Sequence, residues 1–377
     1  MLKPIEKCTG CAACEYVCPR NAITMVTNKQ GFIYPAINTD YCVHCGLCEK
    51  VCAKEHDWRK IKKVVAFQST NNSVLSNSAS GGAIAEIVNR FIKEKGQVCA
   101  VSYDIDKGAQ WIWVNDSDSI KRISGSKYYQ IPLRSQVYIE ILEKLKDNTR
   151  VLFIGTPCQV DGIRKGIPEK YQKNLYLIDI VCGGVASPLL ETKYINYIEK
   201  KEKKHVKTHL FRSKDAGWNR TYTTVLFTED DHKITKIGAE DLFIRAYTSG
   251  RYMRESCYGC EYASRSRISD ITVGDCWGIE TEESRNQQTI SKGVSLLTCN
   301  SEKGEHLVRC LSPEMMIETD GAFKYLSCNK PLNEPSTRPL MRSFSYRLLN
   351  FLPFSLAVNI VCYRRIIKKY VLRRKIR

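Results

Sequence analysis

Residues 22–40 read AITMVTNKQGFIYPAINTD, two short apolar-rich runs separated by a polar break at Asn28–Gly31. This spacing predicts a strand, a tight turn and a second strand. The polar, basic stretch AKEHDWRKIKK over 53–63 reads as a linker. VVAFQST then predicts a strand. In the segment that follows, Ile84, Ile87, Val88, Phe91 and Ile92 recur at helical spacing. The helix is expected to end at Gly96 and to be N-capped by Ser80. RVLFIGTPC and LYLIDIVCGG are unbroken apolar runs that pass into tight loops ending at Cys158 and Cys182. Such runs, alternating with helical patterns, predict a parallel α/β sheet. Loops after parallel strands gather at one sheet edge, where ligands usually bind. Near the chain end, Leu348–Tyr363 is weakly charged, but it is short and contains Pro353. A spanning helix needs about 20 apolar residues, so an amphipathic basic segment is expected instead.

The cysteines change this picture. Cys8, Cys11, Cys14 and Cys18 are followed by Pro19, and Cys42, Cys45, Cys48 and Cys52 by Ala53. Both runs read C-x2-C-x2-C-x3-C, so the unit is an internal duplication. In this spacing three thiolates of one run cap a cuboidal iron–sulfur cluster, and the fourth ligates the other cluster. That pairs Cys52 with Cys8, Cys11 and Cys14, and Cys18 with Cys42, Cys45 and Cys48. Zinc is the competing metal, but its four-cysteine sites use two separated C-x2-C pairs. The segment from Met1 to the end of the second run resembles the bacterial two-cluster ferredoxin. Such clusters pass single electrons, so an acceptor is expected downstream.

Further cysteines fall at Cys158, Cys182 and the C-x2-C pair Cys257/Cys260; these four could hold a third cluster, while zinc remains open for the C-x2-C pair. Cys99, Cys299 and Cys276 read as core residues, while Cys310, Cys328 and Cys362 carry no motif. Ser78, Ser80, Gly81 and Gly82 precede the expected helix, and hydroxyls with free N–H groups there suit a phosphate. ISGSKYYQ, 123–130, is a second small polar loop, with a lysine.

The chain has 377 residues, of which 18 are cysteine, and a net charge of +18. Its length predicts two or three domains. With no apolar signal segment after Met1, the cysteines are expected to serve metal in a reducing cytoplasm. Residues 338–377 hold eleven Lys/Arg and no Asp or Glu. Contact with an anionic membrane surface and docking of a solvated helix on the protein itself are the two readings of that segment. Nucleic acid is not expected, because no recognition module is visible.

SASGG, GSKYYQ, GTPCQVDGIRK, IVCGG, CYGC and ITVGDCWG, in this order, resemble the beta-subunit family of coenzyme F420 hydrogenases and dehydrogenases. The likeness spans about residues 65 to 300. It implies FAD contacts at Ser78, Ser80, Gly81, Gly82, Ser126, Lys127 and Gln130, and cluster ligands at Cys158, Cys182, Cys257 and Cys260. The chain departs from the family pattern at Gly183, where relatives often carry His, and at Cys276, where they often carry Phe. The family also includes ferredoxin-dependent reductases and members associated with surface polysaccharide synthesis. The expected protein is an α/β (mixed α+β) iron–sulfur flavoprotein. Its parts are a two-cluster 4Fe–4S ferredoxin-like domain at 1–57, a flavin domain at 64–335 and a basic tail at 338–377. Electrons would pass from a donor such as ferredoxin through the clusters and FAD to a small organic substrate; alternatively, the chain is a non-catalytic relay subunit. Lys127 and Arg164 are expected to neutralise flavin phosphate or an anionic substrate. Asp179 and Asp275 are the nearest candidate proton donors.

Overall fold

Ile23–Thr27 (β1) and Ile33–Ile37 (β2) pair antiparallel, with Thr27 opposite Ile33. Asn28 shapes the intervening turn: its Oδ1 accepts from the N–H groups of Gln30 and Phe32, each at 3.0 Å. Gly31 supplies the left-handed backbone, at φ +85°. The structure, a computed structural model, describes residues 2–104, 108–218, 221–282, 287–319 and 321–363.

The sequence duplication reappears in the backbone. Gly10 and Ala12 are left-handed, and so are His44 and Gly46 at the equivalent positions of the second run. A left-handed residue thus stands on each side of the second cysteine of each run and curls the loop. Non-glycine residues adopt this conformation at a cost of roughly 1–2 kcal/mol, borne here by Ala12 and His44. Short helices, Ala13–Tyr16 and Leu47–Ala53, follow the two loops and carry Cys14, Cys48 and Cys52.

Eight strands form the main sheet: Lys63–Phe67 (β3), Gln97–Asp104 (β4), Gly108–Val114 (β5), Val151–Gly155 (β6), Leu175–Ile180 (β7), Ile271–Asp275, Ser295–Cys299 and Met316–Glu318. Between β7 and the last three, Val206–Leu210 (β8), Thr223–Thr228 (β9) and Lys233–Ile237 (β10) make a separate antiparallel sheet. Ile271–Asp275 is therefore β11, Ser295–Cys299 β12 and Met316–Glu318 β13. The large sheet runs β13-β3-β12-β11-β7-β6-β4-β5. Its centre, β4-β6-β7-β11, is parallel, as the apolar runs predict. Its flanks, β5 on one side and β12, β3 and β13 on the other, are antiparallel. VVAFQST is thus a strand (β3), but one that packs on an antiparallel flank rather than in the parallel centre. All five residues of β6 are buried, which explains their unbroken apolarity.

The expected helix over 84–92 is observed as Ala83–Lys93, but its N-cap is Gly82 at φ +84°, not Ser80. Ser80 instead donates its Oγ to the Val294 carbonyl at 2.7 Å. Gly81 lies so close to the sheet that a Cβ there would sit 2.2 Å from the Phe67 carbonyl oxygen. The small residues of this loop therefore serve its passage over β3 and β12.

The ferredoxin-like unit shares its core with the sheet domain. Ala12, Ala13, Cys14 and Ile23 fall in one buried cluster with Leu133, Tyr138, Val160 and Tyr262. The start of the expected tail is docked as well. Tyr346 and Leu349 in the helix Arg342–Phe351, with Phe354, Val358 and Cys362 beyond it, are buried against Tyr194, Phe243 and Tyr252. Residues 364–377 lie outside the described residues. Among the described residues no helix is long and apolar enough to cross a membrane.

Candidate functional site

The fold brings ten of the twelve motif cysteines together in three groups. Burial raises the Cys11 thiol to about 11, with Cys8 and Cys52 adding to the rise. The Cys14 thiol is raised likewise, by burial first and then by Cys11, Cys8 and Cys52. Cys8, Cys11, Cys14 and Cys52 are therefore neighbours, the swapped set that the spacing predicts. Cys48 is raised by burial and feels Cys18, across the two runs, as the spacing predicts for the other set, to which it also assigns Cys42 and Cys45. This second group is the outer one. Cys45 is exposed, and Tyr41, Val43 and Leu47 around it are exposed by 61%, 58% and 43%. The first group is the inner one. Its Cys14 is buried, the Cys11 carbonyl accepts the Tyr138 hydroxyl at 2.7 Å, and Gly162 abuts Cys11.

Cys158, Cys182, Cys257 and Cys260 form the third group. Burial raises Cys158, with Cys182, Cys260 and Cys257 adding to it. Burial lifts Cys182 to about 12, reinforced by Cys257 and Cys260. Two of the sulfurs already have polar neighbours: the Gly184 N–H points at Cys182 Sγ at 3.4 Å, and Thr156 Oγ1 lies 3.3 Å from Cys158 Sγ. Cys158 stands at the start of the helix Pro157–Gly166, after β6, and Cys182 just follows β7. Cys257 and Cys260 arrive on the turn 255–259 and the residue after it.

Thiols crowded in this way are poorly ionised alone and become thiolates when metal supplies the positive charge. Among the described residues no three His, Cys, Asp or Glu side chains converge on a point that would hold a single metal ion.

The third group opens on a cavity of about 570 Å³. Ser78, Ser80, Gly82, Ser126, Lys127 and Gln130 line it, six of the seven residues expected to contact flavin; Gly81 is not among its walls. Two of the six have other work. Lys127 Nζ donates to the carbonyls of Ile123, Ser124 and Gly125 at 2.9, 3.1 and 3.3 Å, and burial lowers its pKa to about 7. It fastens the loop that carries Ser126. The Gln130 amide bridges to the ferredoxin-like unit, accepting from the Ile33 N–H and donating to the Thr9 carbonyl, both at 3.3 Å.

Three further expectations need correction or refinement. Arg164 does not line the cavity; it pairs with Asp57 of the linker at 2.7 Å. Asp179 is also absent from the walls and is fully buried against Arg267 at 2.9 Å. Asp275 does reach the cavity, where Arg212 holds it at 2.8 Å and Trp218 Nε1 donates to it at 3.0 Å. Cys276, Cys99 and Cys299 are core residues, as expected.

Sequence reasoning missed the polar network beside these groups. Asp161 accepts from Tyr262 at 2.7 Å and pairs with Lys165 at 2.9 Å and His56 at 3.0 Å. Although burial opposes it, these partners hold the Asp161 carboxyl below the usual carboxylate range. It also missed Arg254, which lies against Cys8. These residues come from distant segments, and only Asp161 and Lys165 fall within a motif.

Fold and thiols together define an iron–sulfur protein with a two-cluster ferredoxin unit built onto an α/β domain. Residues 7–55 match the family model of the 4Fe-4S dicluster domain, and residues 148–323 match that of the C terminus of the coenzyme F420 hydrogenase/dehydrogenase beta subunit. Residues 148–323 thus carry a domain of this beta-subunit type, with the dicluster domain ahead of it. It is similar to the F subunit of F(420)H(2) dehydrogenase from Methanosarcina mazei, 23% identical over 288 residues, which are 71% of this chain and 75% of that one. It is also similar to the beta subunit of F420-dependent formate dehydrogenase from Methanocaldococcus jannaschii, 24% identical over 65% of this chain and 58% of that protein. The N-terminal unit alone is 41% identical over 58 residues to the PorD subunit of pyruvate synthase from Thermotoga maritima, covering 15% of this chain and 54% of that one. A chain in a solved structure of the F420-reducing [NiFe] hydrogenase complex from Methanosarcina barkeri matches with a TM-score of 0.47 at 15% identity, over 73% of this chain and 93% of that one.

Proposed function

We propose that the chain is an electron-transfer subunit of an oxidoreductase, with 4Fe–4S centres on the outer and inner thiol groups, a third on Cys158, Cys182, Cys257 and Cys260, and FAD in the adjoining cavity. One observation carries this reading. The helix Pro157–Gly166 bears Cys158 of the third group and, one turn on, Gly162, whose Cβ position is 2.7 Å from the Cys11 Cβ of the inner group. One helical turn rises only about 5.4 Å, so inner and third groups meet the same short stretch of helix. The outer group's exposed rim of Tyr41, Val43 and Leu47 supports a protein donor or acceptor, such as a ferredoxin or a partner subunit, at that end.

FAD would supply the exchange of single electrons for a hydride pair. The loop 78–82 and the helix N-terminus at Ala83 would face its phosphates, and the Lys127-fastened loop would hold Ser126 against it. A second reading, reduction of a small molecule by this chain itself, is favoured by other residues that line the cavity. There Trp277, Tyr222 and the Arg212–Asp275 pair offer aromatic and charged surface beside the third group.

The test is anaerobic purification with iron and flavin quantified per chain. About twelve irons, four per centre, and one FAD are expected. About eight irons without flavin would remove both the third centre and the flavin from the reading.

The basic C-terminal region supports a further part of the proposal, attachment to an anionic bilayer surface. Around its docked residues, Leu340, Phe344, Phe351, Leu356, Ile360 and Tyr363 stay exposed, Phe351 by 82%. Apolar insertion and attraction of Lys/Arg to anionic lipid add together. Flotation with phosphatidylserine-containing vesicles should be lost on removing residues 364–377; equal flotation of both forms would dismiss the membrane.

A further inference from the structure

Arg254 is 1% exposed. Its Nε donates to the Cys8 carbonyl at 2.9 Å, one terminal nitrogen donates to Gln130 Oε1 at 3.1 Å, and the other points at Cys8 Sγ at 3.8 Å. The guanidinium lies over the rings of Tyr34, at 4.1 Å, and Phe32, at 5.7 Å. Among the described residues no carboxylate pairs with it. Its sequence neighbour Glu255 is taken by Arg338 and Arg342. A buried charge without a counter-charge is costly, so a position like this calls for an anion. The group it addresses directly is the inner thiol set.

Room for this contact is built into the cluster loop. Gly10 is left-handed at φ +72°, and a Cβ there would sit 2.9 Å from Gln130 Nε2 and 3.1 Å from a terminal nitrogen of Arg254. At the repeat-equivalent position the outer loop carries His44, and a Cβ on its Gly46 would meet nothing within 4 Å. Among the described residues no Lys or Arg hydrogen-bonds a sulfur of Cys18, Cys42, Cys45 or Cys48; Cys18 Sγ accepts the Ala22 N–H, at 3.2 Å. The two halves of the duplication therefore differ where it matters electrically.

Net charge, hydrogen bonds to sulfur and solvent exposure set the potential of an iron–sulfur centre. Four thiolates make the ligated centre anionic, and more so once reduced. Burial alone would make the inner centre the harder of the two to reduce. A fixed, unpaired cation at Cys8 acts in the opposite direction, and it acts in a medium that screens it little. We infer that Arg254 is a positioning residue for electrons: it raises the reduction potential of the inner centre, so that an electron on the outer centre moves inward. In that step the outer centre loses one electron and the inner gains it, with no proton or co-reactant. The inference rests on the proposal that both thiol groups carry 4Fe–4S centres.

The test is a redox titration of the full chain followed by electron paramagnetic resonance, with iron and sulfide measured on each sample. Variants are Arg254→Gln, Arg254→Lys and Gln130→Glu, the last placing an anion against the intact guanidinium. Arg254→Gln and Gln130→Glu should lower the inner potential, shifting the inner-to-outer electron ratio at least tenfold toward the outer centre, or about 59 mV for a one-electron couple. Arg254→Lys should recover most of that shift. Unchanged potentials in iron-replete Arg254→Gln and Gln130→Glu would overturn the inference. Should Arg254→Gln fail to fold, Gln130→Glu decides by the same criterion. A wild-type chain without iron would instead remove the underlying reading, and the inference with it.

Discussion

Gly162→Ala tests the junction between inner and third thiol groups. The added Cβ would lie 2.7 Å from Cys11 Cβ, 2.8 Å from the Tyr138 hydroxyl oxygen and 3.2 Å from Cys11 Sγ. Carbon atoms in contact prefer about 3.5–4.0 Å, so the helix and the cluster loop must separate by roughly 1 Å. Neither can yield easily. Gly162 is buried in the middle of Pro157–Gly166, and Cys11 is held by its carbonyl bond from Tyr138 at 2.7 Å. Overpacking of this kind costs about 1–3 kcal/mol. Alanine's better helix propensity returns about 1 kcal/mol, which leaves a net loss of roughly 0–2 kcal/mol and a displaced Cys11. Global stability is thus the weaker readout; the inner centre is the stronger. The assay is iron content and the resonance spectrum of the reduced, anaerobically prepared protein, with thermal unfolding in parallel. The expected result is a broadened or diminished inner-centre signal with the outer signal intact. Gly259→Ala is the control, since a Cβ there meets nothing within 4 Å, and it should stay within about 0.5 kcal/mol of wild type. A Gly162→Ala protein with wild-type iron, spectrum and melting would refute the contact, and with it the short path from inner to third group.

Asp161→Ala should cost about 3–5 kcal/mol in denaturant unfolding, because it strands Lys165, whose side chain is 8% exposed. The folded carboxyl titrates below its unfolded value of about 3.9. Its contribution is therefore complete above that value and lost as pH falls through the folded pKa, so wild type and variant should converge in stability at acid pH; a gap that persists there would refute the assignment. Cys158→Ala should lower bound iron by about one third and stop flavin reduction by reduced ferredoxin in stopped-flow absorbance, whereas Cys99→Ala, in the core, should leave iron unchanged. Leu349→Ala, at a fully buried position, should cost about 2–5 kcal/mol in the same unfolding assay; a cost below about 0.5 kcal/mol would mean that this helix is not docked.

The parts of the chain legible in advance are those whose information is local. The C-x2-C-x2-C-x3-C spacing encodes two curled loops, and the left-handed pairs at Gly10/Ala12 and His44/Gly46 go with it. Asn28–Gly31 encodes the β1–β2 turn, and the apolar runs at 151–155 and 175–180 encode buried parallel strands. Where reasoning depended on one residue's neighbours it faltered. Ser80 resembles an N-cap by composition, yet it bonds Val294, because β12 runs beside the loop. Arg164 lies in the same motif as Cys158, yet the helix turns it toward Asp57.

Thiol-bound iron in a duplicated unit could be read from the order of residues alone, since cluster ligation needs little more than cysteines a few positions apart on one loop. The surroundings of those thiols could not. Arg254 reaches Cys8 across 246 positions, His56 meets Asp161 across 105, and Trp218 meets Asp275 across 57. An apolar run specifies that a strand will be buried, but not which strands will flank it. The order β11-β7-β6-β4 and the seating of the ferredoxin-like unit on the helix Pro157–Gly166 come from packing across the whole chain. Those neighbours bring scattered cysteines, one arginine and one glycine together in space.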